Sequence, residues 1–127
     1  MQEGTYIDTN VILRFLLADD ERLSERASRL LSDEHGRPWI TGIEIVAELV
    51  YVLSRVYEVP RSEIADTLHD LFRPEQWKSE DKACLLEALA LYGRSALDII
   101  DCWLIALHRI NGVQVLTFDK QVKRFTT

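Results

Sequence analysis

The sequence predicts an α/β domain with a parallel sheet of about four to five strands flanked by helices. Three observations lead there. Short β-prone runs alternate along the chain with segments of helical periodicity, as in sheets whose strands are joined by helical crossovers. The first and last of these runs are each followed by an aspartate, Asp8 and Asp119. The carboxyl ends of parallel strands are where α/β folds bind ligands. The length, 127 residues, suits one domain over residues 1–127 that buries about two-thirds of its unfolded surface.

In chain order, Thr5-Tyr6-Ile7 reads as a buried strand that delivers Asp8-Thr9-Asn10 to its end. Val11–Leu17 is apolar and helical, with Arg14 on its outer side. Asp19 and Asp20 are good caps for a helix over about Glu21–Asp33, in which Leu23, Ala27, Leu30 and Leu31 hold helical spacing. Gly36-Arg37-Pro38 stops it, and Pro38–Thr41 reads as a second strand. Thr41-Gly42-Ile43-Glu44 has the form of a capping box and opens a long helix to about Tyr57. On that helix the apolar residues take one broad face, leaving Glu44, Glu48, Tyr51 and Arg55 on a narrow polar arc. Arg61–Phe72 is the next helix, ending before Pro74. Glu75–Lys78 reads as a strand, and Ser79-Glu80-Asp81 caps a helix through about Tyr92. Ser95–Asp98 opens the last major helix, which runs to Ile110 and stops at Asn111-Gly112. Val113–Thr117 is the clearest strand in the chain, followed by Asp119 and a basic tail of Lys120, Lys123 and Arg124.

Composition narrows the function classes. With 47% hydrophobic and 28% charged residues, the chain reads as a soluble globular protein. A formal net charge of −6 gives no global basic field, which argues against a module that merely coats nucleic acid. It leaves room for a nucleic-acid enzyme whose carboxylates hold metal. Cys84 and Cys102 lie in apolar helical surroundings without C-x-x-C spacing, so they read as reduced thiols in the cytoplasm. No signal peptide and no membrane-spanning run is expected. The three histidines lack zinc-ligand spacing, no G-x-S-x-G frames a serine, and the five glycines are scattered singly.

Among the 21 acidic residues, a few stand out by position. Helix capping is the competing reading for Asp8 and for Asp119 taken alone. Two acids at one edge of a parallel sheet point into one crevice, which capping does not explain. Asp98 and Asp101 suit the N-cap and third positions of their helix. Asp101 is set among Ile99, Ile100, Cys102, Trp103 and Leu104, where a carboxylate needs a partner and a metal ion is a good one. Periodicity does not separate Glu48 from Glu44; the capping box gives Glu44 another task and tilts the choice to Glu48.

Asp8-Thr9-Asn10-Val11-Ile12 resembles the opening motif of PIN-domain nucleases, and Ala47-Glu48-Leu49 resembles their central helix motif. Leu97-Asp98-Ile99-Ile100-Asp101 followed by Leu104-Ile105-Ala106 resembles the family's D-F-x-D-x-x-I-A segment. Leu116-Thr117-Phe118-Asp119 is similar to its closing T-x-D. The size and layout look most like the VapC-type toxins of toxin–antitoxin pairs. Cys102 and Trp103 depart from the family's smaller or aliphatic residues.

The resemblance implies a three-layer PIN-like domain in which Asp8, Glu48, Asp101 and Asp119 are the catalytic, metal-binding quartet for Mg²⁺ or Mn²⁺. Asp98, Thr117 and Asn10 fall at accessory positions. It implies hydrolysis of RNA, a cognate antitoxin protein and a homodimer. Arg14, Arg55, Lys120, Lys123 and Arg124 are the candidate RNA-binding cations around this acidic site. Two other functions compete: a PIN nuclease of RNA processing or decay without an antitoxin, and a non-catalytic α/β interaction module whose acids are caps and surface.

Overall fold

Thr5 pairs with Trp39, and Trp39 with Trp77, and around these pairs the sheet is built. The computed structural model describes residues 4–127. In it β1 (Thr5–Tyr6), β2 (Trp39–Ile40) and β3 (Trp77–Lys78) pair in parallel in the order β1-β2-β3. Between β1 and β2 run α1 (Thr9–Leu17) and α2 (Glu21–Ser32), followed by a 3₁₀ turn at Glu34–Gly36. Between β2 and β3 run α3 (Ile43–Arg55) and α4 (Arg61–Phe72). The chain then closes with α5 (Lys82–Gly93), α6 (Ile99–Asn111) and α7 (Lys120–Thr126).

Helix starts and stops follow local chemistry. Asp20 Oδ1 accepts the Leu23 N–H at 3.1 Å and caps α2, as the sequence predicts. Pro60 precedes α4 with its fixed φ, and α4 spans the predicted residues. Gly112 ends α6 in the left-handed conformation at φ 70°, which glycine adopts without the Cβ penalty. α3 is the exception. Its N-cap is Gly42 rather than Thr41, and it ends at Arg55 rather than Tyr57. The expected capping box does not form, because Glu44 accepts from the Tyr6 hydroxyl instead. Thr41 is buried, and its Oγ1 has no partner among the described residues.

The core gathers Ile12, Val46, Leu49, Ile64, Leu68, Phe72, Leu85, Leu89 and Ile105, each almost or wholly removed from water. Burying each such side chain contributes about 1.5–3 kcal/mol. The Phe72 and Trp77 rings meet edge to face at 5.0 Å and bind α4 to β3. Lys82 Nζ donates to the carbonyls of Pro74 and Trp77, each at 2.8 Å, tying the start of α5 to the same strand. Cys84 and Cys102 are buried free thiols. No helix among the described residues is long and apolar enough to cross a membrane.

Two sheet expectations are corrected. The sheet has three strands, not four to five, and Val113–Thr117 is irregular rather than a strand. Both ends of that segment are held by local bonds that compete with a ladder. His108 Nδ1 lies 2.9 Å from the Val113 carbonyl, and the Asp119 N–H donates to Thr117 Oγ1 at 3.0 Å. Leu116 is left 100% exposed and Phe118 96%. As a consequence β1 is an edge strand with both residues exposed, and burial begins only at Ile7.

Candidate active site

Helix starts supply most of the predicted acids. Asp8 occupies the N-cap of α1 and Asp98 that of α6, yet neither side chain makes a capping hydrogen bond. Both carboxylates are therefore free for other work, and capping does not account for them. Asp101 stands in the first turn of α6, in the third position, as expected from the sequence. Asp119 differs: its Oδ1 accepts the N–H groups of Gln121 and Val122, at 2.8 and 3.2 Å, and caps α7. Capping thus employs one oxygen of Asp119, and Oδ2 accepts no hydrogen bond among the described residues.

Asp98, Asp101 and Asp119 share one region. Burial pushes the Asp101 carboxyl above its ordinary value, and the like charges of Asp119 and then Asp98 push it further. No cation or hydrogen bond offsets that rise. A half-buried carboxylate facing two others with nothing of opposite charge beside it is held at a cost in free energy.

The other two predicted acids belong to the neighbouring helices. The Thr9 hydroxyl, next in sequence to Asp8, donates to Glu48 Oε2 at 3.1 Å and ties the start of α1 to α3. α3 in turn packs against α6, and α6 against α7. The capping box that tilts the sequence reading to Glu48 does not form, and each glutamate accepts from one hydroxyl, Glu44 from Tyr6 and Glu48 from Thr9. Among the described residues, no three His, Cys, Asp or Glu side chains are grouped closely enough to hold a metal ion together. Oxygen-only donors nevertheless suit a hard divalent cation. Mg²⁺ keeps several waters and takes only one or two carboxylates directly, so an open arrangement of this kind fits it.

Of the predicted cations, Arg14 is paired with Asp19 at 3.0 Å. Arg55 lines a cleft with Asp98, Ile99 and Ile100 between α3 and α6. Lys120, Lys123 and Arg124 are exposed on α7. Asn10 is exposed in the first turn of α1. Cys102 turns into the core, while Trp103 lines a separate cleft with Tyr6 and Glu44.

Arg61 is a residue the sequence reading passed over. Its guanidinium lies 3.8 Å over the Tyr92 ring, its Nε donates to the Tyr92 carbonyl at 3.3 Å, and its Nη2 donates to the Leu97 carbonyl. These contacts hold the end of α5 and the turn that leads into Asp98. Its partners lie 31 and 36 positions away, so no local pattern marks it.

A comparison with protein families matches residues 5–126 to the PIN domain. The chain belongs to the PIN domain family. The matched span takes in all three strands, all seven helices and each of the four predicted acids. PIN domains are generally metal-dependent nucleases and typically bind divalent metals such as Mg²⁺. In comparisons with curated proteins and with solved structures, nothing matches.

Proposed function

We propose that this PIN domain is a metal-dependent endoribonuclease, a VapC-like toxin neutralised by a cognate antitoxin, acting in the cytoplasm as a homodimer. The observation that carries the catalytic part is Asp101, a half-buried carboxylate raised by burial and by Asp119 and Asp98, with no cation to offset it. Such an arrangement is costly empty and useful loaded. The toxin assignment and the dimer are supported by the motif order and the size of the chain.

Asp8 and Asp101 would hold a divalent ion directly, with Glu48 and Asp119 on a second ion or on its waters. A bound ion of this kind supplies charge to stabilise the leaving oxygen and an acidified water as nucleophile. The protein's own part is placement. Thr9 fixes one oxygen of Glu48. The α7 amides fix Oδ1 of Asp119, and Thr117 fixes its backbone. Asp98, uncapped at the head of α6, adds negative charge that strengthens cation binding. An antitoxin side chain of Arg or Lys, placed among these acids, takes the place of the ion.

The test is cleavage of single-stranded RNA in Mg²⁺ or Mn²⁺, with melting followed in the same titration. Cleavage abolished by chelator and by Asp8→Asn, and a melting temperature raised by roughly 3–5 °C in saturating metal, is the expected result. A non-catalytic module is the competing reading, favoured by the capping role of Asp119. It predicts neither effect. Growth arrest on expression, relieved by the product of the neighbouring gene, separates a toxin from a processing nuclease.

A further inference from the structure

Three arginines of α2, Arg22, Arg26 and Arg29, are exposed at successive helical spacings of four and three. Among the described residues none of them forms an ion pair, whereas Arg14, Arg37, Arg94 and Arg109 all do. With Glu21 and Glu25 on the same helix, α2 carries a surplus of one positive charge, on a chain of formal charge −6. Asp20 lines the same groove but is occupied in capping Leu23, and Glu21 and Glu25 of the same helix form no ion pair with these arginines among the described residues. All three arginines line one groove, and Arg26 continues into a second, where it meets Arg14 and Asn10 of α1. Asn10 stands in the first turn of α1, the helix whose N-cap is Asp8. The second groove is floored by Leu23, Ala27 and Leu30.

At 1.5 Å of rise per residue, Arg22 and Arg26 stand about 6 Å apart along the helix, and Arg22 and Arg29 about 10 Å. A regular row of forked guanidinium groups suits a polymer with evenly repeated phosphates. The apolar floor is suited to unstacked bases turned away from the backbone. We propose that α2 is a binding track for the phosphate backbone of single-stranded RNA, gripping the strand at a distance from the acids that cut it. This rests on the nuclease reading above and adds residues to it that the sequence analysis did not include. It also resolves an electrostatic difficulty: the acids repel a polyanion, and a separate cationic row is needed to hold it.

The experiment is fluorescence anisotropy of a labelled single-stranded oligoribonucleotide with the full chain in EDTA, where metal-dependent cleavage is off. The variants are R22Q/R26Q/R29Q and R26Q alone. Glutamine keeps helix propensity, and an unchanged melting curve confirms the fold. The triple variant is expected to bind at least tenfold more weakly. Its plot of log K against log salt should be shallower by about 2, at about 0.7 for each lost phosphate contact. R26Q alone should fall between the two. Equal affinity and slope in wild type and triple variant, or no binding by the wild type, overturns the track. A polyglutamate peptide that binds more tightly than RNA, through the same arginines, also overturns it in favour of an acidic protein ligand. Arginine-dependent RNA binding by a wild type that cleaves in no divalent metal supports the track and removes the nuclease reading. Cleavage with arginine-independent binding does the reverse.

Discussion

The Thr9 hydroxyl donates to Glu48 Oε2 across 3.1 Å, so the residue after Asp8 orients an acid 39 positions further along the chain. Thr9 is only 2% exposed, which makes this a bond formed largely out of water. Thr9→Val keeps the shape and deletes the donor. Because Glu48 is itself exposed, the expected loss of stability is small, about 1 kcal/mol in chemical denaturation. RNA cleavage should fall by considerably more than that loss explains. Unaltered cleavage would show that Glu48 needs no such orientation.

Asp101 makes stability depend on pH in a defined direction. Its carboxyl titrates above the ordinary 3.8 in the folded chain, so the folded state holds the proton more tightly than the unfolded one. Stability contributed by this group is greatest below pH 3.8 and declines as pH rises through the folded value. Asp101→Asn removes the penalty. The metal-free variant should be more stable than wild type at pH 7, by under about 1 kcal/mol given the screening of a half-exposed group. The gain should disappear in acid. Thermal melts from pH 3 to pH 7 without divalent metal measure it, and a destabilised variant at pH 7 contradicts the assignment.

Asp119 has two tasks that substitution separates. Asparagine caps a helix about as well as aspartate, while alanine does not. Asp119→Asn should therefore leave the melting temperature of the metal-free chain nearly unchanged, and Asp119→Ala should cost about 1 kcal/mol. Both should lose metal-dependent cleavage. Full activity in the asparagine variant would leave Asp119 as a cap alone.

Arg61 positions rather than reacts. Arg61→Ala removes a cation–π contact and donors to two carbonyls, an expected loss of about 2–3 kcal/mol. Arg61→Lys should recover only part of it, since an ammonium lacks the planar fork. If the turn into α6 is what Arg61 secures, amide exchange over Ser95–Asp98 should quicken in both variants more than exchange in α2. Uniform quickening throughout the chain would point to a general loss of stability instead.

What the sequence disclosed was what local chemistry decides. Asp20, Pro60 and Gly112 mark helix ends by bonds or dihedral preferences within a few residues, and the elements they bound match expectation. The order of the acids was legible for the same reason, since each sits in a short motif. Val113–Thr117 was misread because its strand propensity is outweighed by the caps that pin it on either side, at His108 and at Asp119. Glu44 was misread because its partner is Tyr6, 38 positions earlier. The arginines of α2 were passed over because each resembles an ordinary exposed cation until the ion pairs of its neighbours are known.

The stretch from Val113 to Phe118 has one more consequence. It belongs to no helix or strand, and Leu116 and Phe118 stand almost wholly in solvent. Exposed irregular segments are where proteases nick a folded chain, and chymotrypsin-like enzymes select side chains such as these two. A single nick after either residue severs the covalent link to α7 and Asp119, while Asp8, Glu48, Asp98 and Asp101 stay on the larger fragment. α7 would then be retained only by noncovalent contacts, the buried Val122 among them. Asp119 is thus joined to the other acids through the most exposed large apolar side chains among the described residues.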